Sequence, residues 1–225
     1  MLNAPCTTLI FDLDGTLVDS APDLTDALNQ VLTAQGRSAL NVKDVAGMIG
    51  DGVAKLVERG FMATGGAPLN PAAALSTFQE IYLKGAANLT ALYPTVLETL
   101  GMLRDDGYRM GLCTNKPIAP TRSLLKALDI SGFFEVVAGG DSFPVRKPDP
   151  GHVNGVLDQL GSTRDNTIMI GDSKTDVAAA KSAGVTIIAV SYGYPRGPIE
   201  DLGADIIIDS FDAVPDAIAT LSGKA

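Results

Sequence analysis

The chain has 225 residues, 46% of them hydrophobic, enough for one large domain or a domain carrying a sizeable insertion. Its 17 basic residues against 26 acidic ones give a formal net charge of -9, which argues against nucleic acid as a partner. A small anionic substrate stays admissible where a cation or a few basic groups correct the field locally.

Two cysteines, Cys6 and Cys113, show neither a pairing motif nor metal-ligand spacing, as expected of small core side chains in a reduced compartment. There is no basic segment followed by a long apolar one, and no apolar run approaches the roughly 18 residues of a membrane helix. The expectation is a soluble cytoplasmic protein with no membrane partner, a monomer or a homodimer.

In chain order, residues 8–13 read as a strand buried on both faces, running into Asp12 and Asp14 just ahead of Gly15. From residue 21 to 85 the pattern is helical: Leu24, Leu28, Val31 and Leu32; Val53, Leu56 and Val57; Leu75, Phe78, Ile81 and Tyr82. Gly65, Gly66, Pro68 and Pro71 mark a loop within it. The gap before the next strand is too long for a single-helix crossover, so residues 21–85 are expected to form an inserted helical domain. Residues 1–20 and 86–225 are then the core. There, helices at 94–106, 117–128, 150–160, 174–183 and 211–221 alternate with strands at 109–113, 136–138, 167–170, 185–190 and 205–208. This alternation predicts an α/β fold with a Rossmann-like parallel sheet.

Ligands of open parallel sheets bind beyond the carboxyl ends of the strands, so the residues following each strand belong together. They are Asp12 and Asp14; Thr114 and Asn115; Lys147; and Gly171, Asp172 and Asp176. Several carboxylates at one strand mouth repel one another unless a divalent cation sits among them. With no histidine or thiolate at hand, oxygen ligation points to Mg2+ rather than zinc. One oxygen of Asp12 then remains to attack phosphorus, giving an acyl phosphate. Asp14 is placed to protonate the leaving oxygen and later to deprotonate the attacking water. Thr114, Asn115 and Lys147 are expected to donate to the phosphoryl oxygens.

These residues resemble the haloacid dehalogenase-like superfamily of aspartyl phosphatases, and within it the phosphoglycolate phosphatase group. The first motif of that superfamily stands here as Asp12-Leu13-Asp14-Gly15-Thr16 and the second as Cys113-Thr114-Asn115. The third is Lys147-Pro148-Asp149-Pro150, and the fourth runs from Gly171 through Asp172 to Asp176. The resemblance covers nearly the whole chain. It implies a Mg2+-dependent phosphatase with Asp12 as nucleophile and Asp14 as acid and base. Mg2+ would be held by Asp12, the backbone carbonyl of Asp14, and Asp172, with Asp176 orienting Lys147 or binding the metal through water. Residues 21–85 would be the α-helical cap of the group, closing over a small phosphorylated metabolite. The stretch from Ile49 to Val57 resembles its cap, which makes Gly50, Asp51 and Gly52 candidate substrate-facing residues. The implied substrate is 2-phosphoglycolate. Thr95 stands where the group usually has glycine, and Ser-Lys-Thr-Asp where Ser-Arg-Asn-Asp is commoner.

Plainer readings exist for each feature. Asp-x-Asp-Gly is often a turn, Thr114-Asn115 could cap a helix ahead of Pro117, and Lys147 could be a solvated loop lysine. Asp176 could be a favourable first-turn charge, and Gly50 and Gly52 could be helix punctuation. His152, near a helix start, is expected at the surface; as the single histidine it offers no Ser-His-Asp chemistry. Competing functions are a phospho-accepting signalling receiver, a dehalogenase, a pyrophosphatase, a nucleotidase and a sugar phosphomutase. Asp14 and the helical insertion argue against the receiver, and Asp14 against the dehalogenase.

Overall fold

The computed structural model describes residues 6–85 and 87–223. Six parallel strands form its main sheet: β1 (Thr8–Phe11), β4 (Arg109–Cys113), β5 (Val136–Ala138), β6 (Thr167–Gly171), β7 (Thr186–Val190) and β8 (Ile206–Ile208). Their spatial order is β5-β4-β1-β6-β7-β8, so the chain steps outward from β1 to one edge and then returns to build the other. β1 pairs in parallel with β4 and β6, Thr8 lying opposite both Arg109 and Thr167. Such central strands need apolar side chains on both faces, which their Leu, Ile, Phe, Met and Val residues supply. Leu9 and Phe11 enter one core with α5 (Val96–Asp105), α6 (Ile118–Ala127) and α9 (Val214–Leu221). Ile10 and Met169 point the other way, into a core with α7 (Pro150–Leu160) and α8 (Lys174–Ala183).

Between β1 and β4 lies a helical unit of α1 (Ala21–Ala34), α2 (Val42–Ala46), α3 (Val53–Ala63) and α4 (Pro71–Gly85). It has its own apolar cluster, built on Leu28, Leu32, Leu56, Phe61 and Phe78. A Cβ on Gly60 would lie 2.8 Å from Leu28, which shows how closely α3 approaches α1. The chain enters and leaves this unit through an antiparallel pair, β2 (Val18–Asp19) and β3 (Ala91–Leu92). Two-residue strands leave no periodicity to read, and neither they nor the five-residue α2 were foreseen. The expected domain limits at residues 1, 86 and 225 lie outside the described residues.

Helix limits follow local chemistry. Asp149 caps α7, accepting from the Gly151 N–H at 2.8 Å, with Pro150 in the first turn and Gly161 left-handed at the end. The helix expected over 94–106 begins only at Val96, because Thr95 takes a left-handed conformation with φ 65°. That conformation costs a β-branched residue and is free to glycine, which explains the glycine of the resembled group. Thr95→Gly is expected to raise stability by about 0.5–1 kcal/mol, or ~2 °C in a thermal melt. The helix expected over 211–221 splits into a short 3-10 turn, Phe211–Ala213, and α9, where Pro215 favours a fresh start.

A buried carboxylate joins the two crossings between helical unit and sheet. Asp23, in the first turn of α1, accepts from the backbone N–H groups of Ala87, Leu89 and Thr90 and from the Thr90 hydroxyl. An asparagine there would turn an amide donor toward these donors. Asp23→Asn is expected to cost about 2–3 kcal/mol in denaturant unfolding.

Candidate active site

β1 ends by delivering Asp12 to the mouth of the sheet, its N–H still donating to the Ile170 carbonyl at 2.9 Å. The chain then turns over Gly15, at φ 91°, a position glycine occupies without strain. Asp12 is 6% exposed, and its Oδ1 accepts from Lys147 Nζ at 2.8 Å. Lys147, 2% exposed, also donates to the Cys113 carbonyl at 2.5 Å and pairs with Asp176 at 2.6 Å. Asp176 holds that position because Ser173 and Asp176 form the capping box of α8, Asp176 Oδ2 accepting from the Ser173 N–H at 3.0 Å. The plain reading of Asp176 as a helix-start residue and its contact with Lys147 are therefore both true.

Asp12, Asp172 and Asp176 each offer an oxygen, and these lie within 4.8 Å of one another. Asp172 is fixed by the Tyr194 N–H at 2.7 Å and the Thr16 hydroxyl at 3.3 Å. Burial pushes Asp12 up to about 7, against the pull of Lys147, with Asp176 adding repulsion. Asp172 is raised well above the usual carboxylate range by burial and then by Asp176 and Asp12. Burial opposes the charge of Lys147, but Asp12 and Asp176 outweigh it and hold it above an ordinary lysine. Three buried carboxylates facing one ammonium lack positive charge, and a small oxygen-seeking divalent cation fits that deficit and that donor set.

Asp14 faces a different partner, which the sequence reading missed. Lys116, 3% exposed, donates to its two carboxylate oxygens at 2.9 and 3.1 Å, and Ser20 Oγ adds a third bond at 2.6 Å. Lys116 Nζ also lies 4.6 Å from the centre of the Tyr82 ring, on α4 of the helical unit. The available signal was its place directly after Thr114 and Asn115.

The remaining candidates converge on the same crevice with altered tasks. Thr114 Oγ1 accepts from the Lys116 N–H at 3.2 Å, and its own hydroxyl proton stays available. Asn115 spends both amide protons, on the carbonyls of Gly50 and Lys147 at 2.9 Å each. Its side-chain amide thus ties the 50–52 loop to the lysine loop. Gly50 and Gly52 line the cavity over Asp12, and Gly52, at φ 89°, is also the N-cap of α3. Asp51 turns aside, ion-paired with Arg59 at 2.5 Å and Arg196 at 2.6 Å, both of which hold its carboxyl below the usual range against burial. Arg196 donates as well to the Ile49 carbonyl.

His152 is not at the surface. It is 0% exposed, edge-on to Phe143, and its Nδ1 accepts from the Lys147 N–H at 3.2 Å. Burial, then the charge of Lys147, lower it to about 4, so it is neutral at neutral pH and buttresses the lysine loop.

Among the described residues no helix is long and apolar enough to cross a membrane. A family model described as haloacid dehalogenase-like hydrolase matches residues 9–190. Phosphoglycolate phosphatase of Caulobacter vibrioides is 44% identical over 217 residues, covering 95% of this chain and 91% of that protein. Phosphoglycolate phosphatase of Rhodospirillum rubrum is 43% identical over 214 residues, covering 92% and 89%. Among solved structures, a Haemophilus somnus 129pt protein described as a predicted phosphoglycolate phosphatase superposes with a TM-score of 0.90 at 30% identity, covering 96% of this chain and 99% of that one.

Proposed function

The chain belongs to the haloacid dehalogenase-like hydrolases, and from that membership we propose that it is a phosphoglycolate phosphatase, converting 2-phosphoglycolate and water to glycolate and phosphate. The observation that carries this reading is the buried Asp12, in contact with Lys147 and beside Asp172 and Asp176 at the mouth of β1. Asp12 and Asp172, with the backbone carbonyl of Asp14, would hold Mg2+, and Asp176 would orient Lys147. Mg2+, when bound, supplies positive charge that offsets these carboxylates and the phosphoryl oxygens.

An Asp12 oxygen attacks phosphorus while the bond from phosphorus to the glycolate oxygen breaks, and Asp14 gives that oxygen a proton. Asp14 then takes a proton from water, whose oxygen attacks phosphorus and breaks its bond to Asp12, releasing phosphate. Lys147 and the Thr114 hydroxyl donate to the phosphoryl oxygens, where charge spreads during both transfers. The helices of residues 21–85 act as a cap that excludes water, with Gly50 and Gly52 over the substrate and Asn115 tying their loop down.

Phosphate release from 2-phosphoglycolate should be rapid with Mg2+ and lost with a chelator; release undiminished by chelation refutes the reading. Asp14→Asn is expected to slow 2-phosphoglycolate turnover about 10²–10⁴-fold. Formation of the covalent intermediate from 4-nitrophenyl phosphate, whose leaving group needs no proton, should suffer less; equal losses in both would refute the acid role.

A further inference from the structure

Two ammonium groups are buried at the strand mouths, and their donors are spent differently. An ammonium has three N–H donors. Lys147 donates to Asp12 and to the Cys113 carbonyl and is ion-paired with Asp176. Lys116 has the two oxygens of one carboxylate, Asp14, and the face of Tyr82. Lys116 can therefore turn one donor from the second Asp14 oxygen to another carboxylate while keeping its pair with Asp14, whereas Lys147 is already shared between two separate carboxylates and a carbonyl on the phosphoryl side.

Position agrees with capacity. Lys116 is the one cation among the described residues lining the cavity over Asp12, whose opposite wall is formed by Leu24, Val53 and Leu56 of the helical unit. Those apolar side chains keep water from an ion pair formed there, so it is worth more than one at the surface. Lys116 Nζ lies within 3.1 Å of both oxygens of Asp14, the residue assigned to the leaving oxygen. In a phosphorylated 2-hydroxy acid the carboxylate carbon is two bonds beyond that oxygen, which brings it within reach of the ammonium. Arg59 and Arg196, the neighbouring guanidinium groups, are committed to Asp51.

Resting on the phosphatase reading above, we infer that Lys116 is the specificity-determining residue that receives the substrate's carboxylate, selecting phosphomonoesters of short 2-hydroxy acids over uncharged alkyl phosphates. The test compares 3-phosphonopropanoate, a non-hydrolysable isostere of 2-phosphoglycolate, with propylphosphonate, which lacks the carboxylate. Calorimetry with Mg2+ present should show the wild type preferring the former about 30-fold. Lys116→Met should reduce the preference to within about 3-fold by weakening the carboxylate ligand, propylphosphonate binding changing little. Arg146→Gln, which removes an exposed charge beside Gly52, should leave the preference intact. A preference surviving in Lys116→Met, or absent from the wild type, overturns the inference. Should Lys116→Met fail to fold, a wild-type crystal with 3-phosphonopropanoate decides: the carboxylate lies about 3 Å from Lys116 Nζ, or it lies elsewhere and the inference falls. Failure of the phosphatase reading has another signature, wild-type protein that releases no phosphate from 2-phosphoglycolate.

Discussion

Asp12→Asn is expected to lower turnover of 2-phosphoglycolate at least about 10⁴-fold while leaving the fold intact, because an amide oxygen does not attack phosphorus. Stability separates this loss from unfolding. Burial sets Asp12 at about 7 against an ordinary 3.8, so in metal-free folded protein its ionisation carries a penalty. The folded state then holds more protons than the unfolded chain between these values, and stability falls as pH rises through that window. The penalty is absent below about 4 and complete above about 7. Melts in a chelator should show that decline in wild type and a shallower one in Asp12→Asn. Near-wild-type phosphate release by the variant would remove the covalent route altogether.

Lys147→Ala is expected to fail in two ways. It strips the ammonium from Asp12 and Asp176 inside the core, and breaking a buried pair from one side costs about 3–5 kcal/mol. It also removes a donor from the transferring phosphoryl group, worth about 10²–10³ in rate. Adding Mg2+ should recover more stability in the variant than in wild type, since the cation replaces part of the missing charge, but it should not recover the rate. Lys147→Arg should not restore the rate either, because a planar guanidinium cannot meet three convergent acceptors as a compact ammonium does. A folded Lys147→Ala protein with unchanged kinetics would refute the assignment.

The bonds of Asn115 and Lys116 link these effects to the helical unit. Asn115 joins the Gly50 carbonyl to that of Lys147, and Lys116 lies between Asp14 and Tyr82. Movement of the unit relative to the sheet would disturb the carbonyl over the cavity and the face against Lys116 together. Asp23, anchoring residues 87–90, limits how far the base of the unit can travel.

The sequence by itself determined the parallel sheet, the interruption after the first strand, and the gathering of Asp12, Asp14, Thr114, Lys147, Asp172 and Asp176. Strand burial and helix capping are local, and each of those residues sits just past a strand, within its following loop or in the first turn of the helix after it, where parallel topology leaves one possible meeting place. Only the tertiary structure decided which polar groups pair. Asp14 with Lys116, Asp51 with Arg196 and Asn115 with Gly50 are separated by 102, 145 and 65 residues. No periodicity relates such positions. The burial of His152 and the four donors around Asp23 have the same origin: a polar side chain's partners are set by which backbone groups the packed elements leave unsatisfied around it, and that is known only once they are packed.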